Sequence, residues 1–138
     1  MSRERNLAAV RRLLGDVLNG GDLDAIGELV HPDYVDRAGG GPGPDGYRRW
    51  AAGVWAAFPD FELTIEDLLA DGDRVVVRYT ARGTHRGEVL RVPPTGRRVE
   101  YMGIGIVRLA DGRMIERWNC SDTMCLLAQL GALPPELT

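Results

Sequence analysis

The stretch AAFPDFELTIEDLLADGDRVVVRYTA, residues 56–81, changes its hydrophobic period partway along. Up to Phe58 the apolar residues Tyr47, Trp50, Ala51, Val54 and Trp55 recur at spacings of three and four, the stripe that an amphipathic helix buries. Pro59 pushes the residue before it out of helical geometry and ends that pattern. From Phe61, the apolar Leu63 and Ile65 alternate with Glu62, Thr64 and Glu66, and a period of two belongs to a strand whose side chains point alternately to its two faces. The chain therefore turns from helices to sheet at this point. Asp71-Gly72 is a hairpin signal, and the valine-rich run after it predicts the partner strand.

Toward the N-terminus, Leu7, Val10, Leu13, Leu14 and Val17 form a helical stripe over residues 6–17, stopped by Asn19, Gly20 and Gly21. Asp22 then caps a shorter helix with Leu23, Ile26, Leu29 and Val30 on its buried side. His31 and Pro32 end it, which would set His31 against the negative end of the helix dipole. Residues 33–36 read as a short strand, and AGGGPGPDG, 38–46, reads as an irregular loop and candidate lid before a helix over 47–58. Toward the C-terminus, Asp111-Gly112 repeats the hairpin signal, giving strands at 61–70, 73–84, 97–110 and 113–121 of one antiparallel sheet. A last helix over 122–130 ends at Gly131 in the left-handed cap position.

Helices followed by a meander of long strands make an α+β pattern, expected here as one domain over 1–138. A curved antiparallel sheet wrapped as a cone around N-terminal helices leaves an apolar pocket where they fill it incompletely, and small ligands bind in pockets of that kind.

Composition narrows the partners. A chain of 138 residues with 44% hydrophobic and 27% charged residues and a net charge of −3 has no basic excess to follow a phosphate backbone, so no nucleic acid is expected. No window approaches the roughly 18 apolar residues of a membrane span, and the first residues carry no continuous apolar run. A cytoplasmic protein without membrane contact is expected. Cys120 and Cys125 lack the further ligands of a zinc site, so they read as small buried residues, with no metal.

Three segments together carry a resemblance: VRRLLGDVLNGGDLDAIGELVHPDYVD, AAFPDFELTIEDLLADGDRVVVRYTARGTHRGE, and PPTGRRVEYMGIGIVRLADGRMIERWNCSDTMCLLAQLGALP. Over residues 6–134 the chain resembles the SnoaL-like polyketide cyclases of the nuclear transport factor 2-like superfamily. The resemblance implies a cone-shaped α+β fold with an enclosed pocket, no metal or organic cofactor, and often a homodimer. In the founding cyclases an aspartate at the end of the last strand serves as acid/base for an intramolecular aldol closure. This sequence departs from that pattern: Asn119 stands at that aspartate, Arg117 where histidine is common, and Gly105 at a second histidine. Asp122 matches a second aspartate of the family.

The segment ERWNCSD, 116–122, is thereby expected to form a pocket wall. The resemblance places Asn119 inward, and alternation puts Arg117 on the same side and Trp118 on the other. Asn119 can donate to a carbonyl or enolate oxygen but cannot take up a proton at neutral pH, and a hydrogen-bonded core amide is its plainer role. Asp122 is either the cap of the last helix or a general base if its carboxylate enters the pocket. His85, in GTHRG after the second strand, is expected near the rim, where it could pass protons or hold a substrate oxygen.

Asp122, Asn119 and His85 are thus the catalytic candidates, and Trp50, Trp55, Phe58, Tyr34, Tyr101 and Arg117 the substrate-binding ones. Tyr79 and Met102 belong to the same aromatic and soft apolar set. Arg78, in mid-strand, is either a buried partner of Asp36 or Glu116 or an outer-face residue. The reaction expected is cofactor-free cyclisation or isomerisation of a hydrophobic polyketide-like molecule. The alternative is a non-catalytic binding domain or a dimeric orphan of the same fold. Strands apolar on both faces, such as YMGIGIVRL, favour a homodimer through the outer face of the sheet.

Overall fold

The computed structural model describes residues 2–137. Its helices are α1 (Arg3–Arg12), α2 (Ile26–Leu29), α3 (Gly43–Ala57) and α4 (Thr123–Gln129). Its strands are β1 (Val30–Asp36), β2 (Glu62–Asp71), β3 (Arg74–Thr84), β4 (Arg98–Ala110) and β5 (Arg113–Ser121). Four strands follow the alternation within a residue or so of expectation. Both Asp-Gly turns form, with φ of 53° at Asp111 and 76° at Gly112.

The sheet has the order β1-β5-β4-β3-β2 and is curved and unclosed. It is mixed rather than purely antiparallel, because β1 pairs parallel with β5, setting Val35 opposite Glu116 and Asp36 opposite Arg117. The reason is the path of α3. Its fifteen residues span about 22 Å, enough to cross the roughly 19 Å between the two edge strands. It leaves β1 and reaches β2 at the same end of the sheet, so these edge strands run in opposite directions. Three antiparallel steps from β2 then bring β5 back parallel to β1.

The helical segments depart from the periodicity in instructive ways. The first helix continues beyond α1 as a π-helical segment, Leu13–Asn19, in which the Gly20 N–H reaches the Gly15 carbonyl at 2.9 Å. The second is a single turn, and Val30 already belongs to β1. His31 is therefore a strand residue, its Nδ1 accepting the Asp33 N–H at 3.0 Å, and not the end of a helix. The expected loop over 38–46 is shorter, since 43–46 form the first turn of α3 with Pro44 in a favourable early position. Gly46 is needed there because any Cβ would collide with the Gly41 carbonyl.

Val10, Leu13, Val17, Ile26, Val75, Val107 and Met114 pack into the main core between the helices and the concave face. The other face leaves Leu69, Met102 and Ile104 exposed, with Trp118 beneath the Arg74 guanidinium at 5.2 Å. Arg78 lies on that outer face too, paired with Asp67 at 2.6 Å, so it is not the partner of Asp36 or Glu116. Glu116 instead bonds Arg37 and Arg108, which hold its carboxyl below the usual range. Both cysteines are exposed, contrary to expectation, because Cys120 falls on the outer alternation of β5 and Cys125 on the open side of α4. No described helix is long and apolar enough to cross a membrane.

Candidate active site

A cavity of about 670 Å³ lies between the helices and the concave face of the sheet. Leu14, Leu18, Trp50, Val54, Phe58, Val77, Tyr101 and Val107 make most of its wall apolar. The last residues of β5, the 88–90 segment, and Thr123 and Leu126 of α4 also border it.

Two glycines of β4 make room for its polar side chains. Gly103 faces Tyr79 in register, and a Cβ there would collide with the Tyr79 ring and hydroxyl. Gly105 faces Asn119, and a Cβ there would stand 3.2 Å from Asn119 Oδ1. With both positions bare, the Tyr79 hydroxyl crosses β4 and donates to Asn119 Oδ1 at 3.0 Å. That bond fixes which way the amide points. The Asn119 Nδ2 hydrogens make no hydrogen bond among the described residues and remain available in the cavity wall. The alternating glycines in MGIGI were the sequence signal for this pair, and they single out Tyr79 among the aromatic residues.

A second polar group is built by the parallel β1–β5 pairing. Arg117 Nη1 donates to Asp36 Oδ2 at 3.2 Å, and its Cζ lies 4.2 Å from the centre of the Trp50 ring. The two side chains are 10% and 1% exposed. Tyr47 packs on Trp50, and Tyr34 meets Tyr47 edge-on. The Tyr34 hydroxyl is buried without a well-formed hydrogen bond, although Asp36 is near enough to act on it electrostatically.

Burial holds the phenols neutral. It pushes Tyr101 up to about 12 and Tyr47 to about 12, and drives Tyr34 well above the ordinary tyrosine range, opposed in the last two by the Arg117 charge. Tyr101 on the cavity wall is thus a hydrogen-bond donor rather than a base. Because these folded-state values lie above the unfolded value near 10, the stability they bring is complete below about pH 10 and is lost as pH rises through about 12. Ultraviolet titration of the folded protein should show none of these three phenolates near pH 10. Ordinary midpoints for all the tyrosines would contradict their burial.

Of the expected site residues, Asn119, Arg117, Trp50, Phe58 and Tyr101 meet on the cavity wall, and Asp122, His85, Trp55 and Tyr34 do not line it. Asp122 caps α4, its Oδ1 accepting the Cys125 N–H at 3.0 Å. His85 is fully buried rather than at the rim. Its Nδ1 accepts the Thr95 N–H at 3.2 Å and lies 3.0 Å from the Thr95 hydroxyl, which ties the β3–β4 connection to itself. Trp55 donates from Nε1 to the Leu18 carbonyl at 3.0 Å, joining α3 to the end of the π-helical segment. Among the described residues no three His, Cys, Asp or Glu side chains come together as a metal site.

Residues 8–130 match the model of a family described as SnoaL-like polyketide cyclase. The nogalonic acid methyl ester cyclase of Streptomyces nogalater is 29% identical over 119 residues, covering 82% of this chain and 88% of its own length. The aklanonic acid methyl ester cyclase AcmA of Streptomyces galilaeus is 28% identical over 136 residues, covering 94% and 93%. Among solved structures, TsrD from Streptomyces laurentii superposes with a TM-score of 0.89 at 30% identity, over 96% of this chain and 99% of that one.

Proposed function

From the premise that this chain belongs to the SnoaL-like polyketide cyclase family, we propose that it closes a ring in a hydrophobic polyketide-like molecule without a cofactor. The observation that carries this reading is the Tyr79–Asn119 hydrogen bond in the wall of an apolar cavity. In an aldol closure the α-carbon between two carbonyl groups gives up its proton to solvent water and attacks a ketone carbon. The ketone oxygen then gains negative charge, and water returns a proton to it as the new hydroxyl oxygen. Asn119 Nδ2–H is the donor for that oxygen, and Tyr79, donating to Oδ1, holds and polarises the amide. Asparagine where the founding cyclases carry an aspartate fits a closure that depends on cavity shape and oxygen stabilisation more than on a strong side-chain base. A methylene flanked by two carbonyls is acidic enough for such a route.

The test is incubation of the purified protein with nogalonic acid methyl ester or another β-dicarbonyl polyketide ester, following conversion to a cyclised isomer of equal mass by chromatography. Conversion that depends on Asn119 supports the reading. Binding without conversion would make the protein a small-molecule carrier of the same fold.

In this reading Asp122 is a cap and not the base. Asp122→Asn should keep cyclisation within about twofold, because the amide still accepts from the helix N–H, while Asp122→Ala should lose roughly 0.5–2 kcal/mol of stability. A drop in turnover of about 10²-fold or more in Asp122→Asn, with folding intact, would return the base role to it.

The working form is proposed to be a homodimer joined through the outer face of the sheet. Leu69, Met102 and Ile104 are 60%, 39% and 45% exposed there, large apolar side chains left open to solvent on one face. Light scattering should give twice the chain mass of 15.1 kDa, and Ile104→Glu should halve it. Monomer mass for the unmodified protein at micromolar concentration would refute the dimer.

A further inference from the structure

Ring closure as proposed uses the Tyr79–Asn119 pair and leaves the rim of the cavity without a task. Glu88, Val89 and Leu90 line the cavity from the β3–β4 connection, and Leu90 is 52% exposed, so it stands where the cavity meets solvent. Leu90 and Arg91 are the central residues of a tight turn. The Val92 N–H donates to the Val89 carbonyl at 2.7 Å, and the Val89 N–H to the Val92 carbonyl at 3.2 Å. Both central residues have positive φ, 49° and 65°. Asparagine and glycine form that hairpin turn at little cost, whereas a leucine and an arginine form it against the steric preference of their Cβ atoms. Among the described residues the other non-glycine residue with positive φ is Asp111, in the Asp111-Gly112 turn, where the residue types suit the geometry.

The base of this small hairpin is anchored. Val89 and Val92 pack against Ala57, Phe58, Val99, Leu126 and Leu130. The Arg86 N–H on the Ala57 carbonyl and the Thr95 N–H on His85 Nδ1 hold the connection on either side. The Leu90 side chain, by contrast, belongs to none of the buried clusters. An unfavourable backbone conformation persists where the surrounding structure imposes it, and it gathers at ligand-binding positions. Here it holds a large apolar side chain, open to solvent on a fixed turn, at the rim of an apolar cavity. We infer that Leu90 is a specificity-determining residue that packs on the part of the ligand lying at the rim, so that the cavity favours molecules that are apolar there. A polar or charged group set against the leucine would shed water without gaining a hydrogen-bond partner.

The inference rests on the cavity being the substrate pocket of the proposed function, not on ring closure, and its experiment reads binding and thermal stability. The probe is methyl anthracene-2-carboxylate, a neutral planar ester whose own fluorescence reports its binding. Two variants separate the side chain from the backbone. Arg91→Gly relieves one strained position and keeps Leu90. It should raise the melting temperature and bind the probe as the unmodified protein does. Leu90→Asn/Arg91→Gly gives the turn the residue pair it favours. It should melt at least as high as the unmodified protein, yet bind the probe about tenfold more weakly, because the leucine is withdrawn from the ligand. Unchanged affinity in the double variant, an equal loss of affinity in Arg91→Gly, or no gain in melting temperature in Arg91→Gly overturns the inference. So does a melting temperature that falls together with binding in the double variant, which would make Leu90 a packing residue of the fold, or failure of the probe to bind the unmodified protein. Absence of turnover with polyketide esters would remove the ring-closing reading and leave this binding result standing.

Discussion

Asn119→Leu is expected to lower the cyclisation rate constant by about 10²–10³-fold with the fold unchanged, the loss typical of removing one preorganised donor to a developing oxyanion. The leucine is close in size to the amide it replaces and sits beside bare Gly105, so the cavity keeps its volume while its wall loses the Nδ2 donor. Tyr79→Phe should cost less, about tenfold, since Tyr79 acts on the amide rather than on the substrate. Gly103→Ala should resemble Tyr79→Phe in its effect on rate, because the new methyl group displaces the tyrosine from the path it takes over β4. Asn119→Asp separates donor from base. It installs the carboxylate of the founding cyclases where the Tyr79 hydroxyl can bond it, so the variant should fold and its rate should rise with pH as the carboxylate ionises. Kinetics with circular dichroism as the folding control decide among these. Full activity in Asn119→Leu would remove the amide from the chemistry and leave cavity shape as the explanation.

The parts of this site that could be read from the sequence are those whose signal is local. Alternation along β5 set Arg117 and Asn119 on one face and Trp118 on the other, and the register with β4 agrees. The helix-to-strand change at Pro59 and the two Asp-Gly turns marked the strands almost residue by residue. What was not legible depends on contacts between distant segments. The parallel pairing of β1 with β5 follows from where α3 delivers the chain, and no periodicity in residues 30–36 carries it. Asp36 and Arg117 are 81 positions apart, so their pairing, and with it the exclusion of Arg78 as the partner, waits for that strand order. The burial of His85 likewise depends on contacts between distant segments. The turn around it looks exposed in sequence, yet Gly87 lies so close to the Ala56 carbonyl that the connection is drawn in against the end of α3, with the Arg86 N–H on the Ala57 carbonyl at 2.9 Å. The cap made by the short acidic residue opening the last helix is a matter of geometry, the Cys125 N–H donating to its Oδ1, which residue type alone does not give.

Arg117→Leu should destabilise the protein by about 3–5 kcal/mol, the cost of removing one partner of a buried ion pair and leaving the other without its counter-charge. Asp36, its side chain 1% exposed, would retain only the Ala38 N–H as a strong partner. Against a total of about 5–15 kcal/mol for a domain, the loss is large enough to leave some of the chain unfolded at ordinary temperature. The pair itself need not be a net stabiliser, because desolvating both charges offsets most of their attraction. That asymmetry makes a double-mutant cycle informative. Asp36→Asn and Arg117→Gln should each be costly alone, whereas the combined variant should regain most of the loss, as two neutral amides can bond each other in the same space. Urea denaturation of the four proteins measures the coupling. If the single substitutions cost less than about 1 kcal/mol each and add in the double, the two charges are not joined in solution. The parallel edge between β1 and β5 would then be held by its backbone alone.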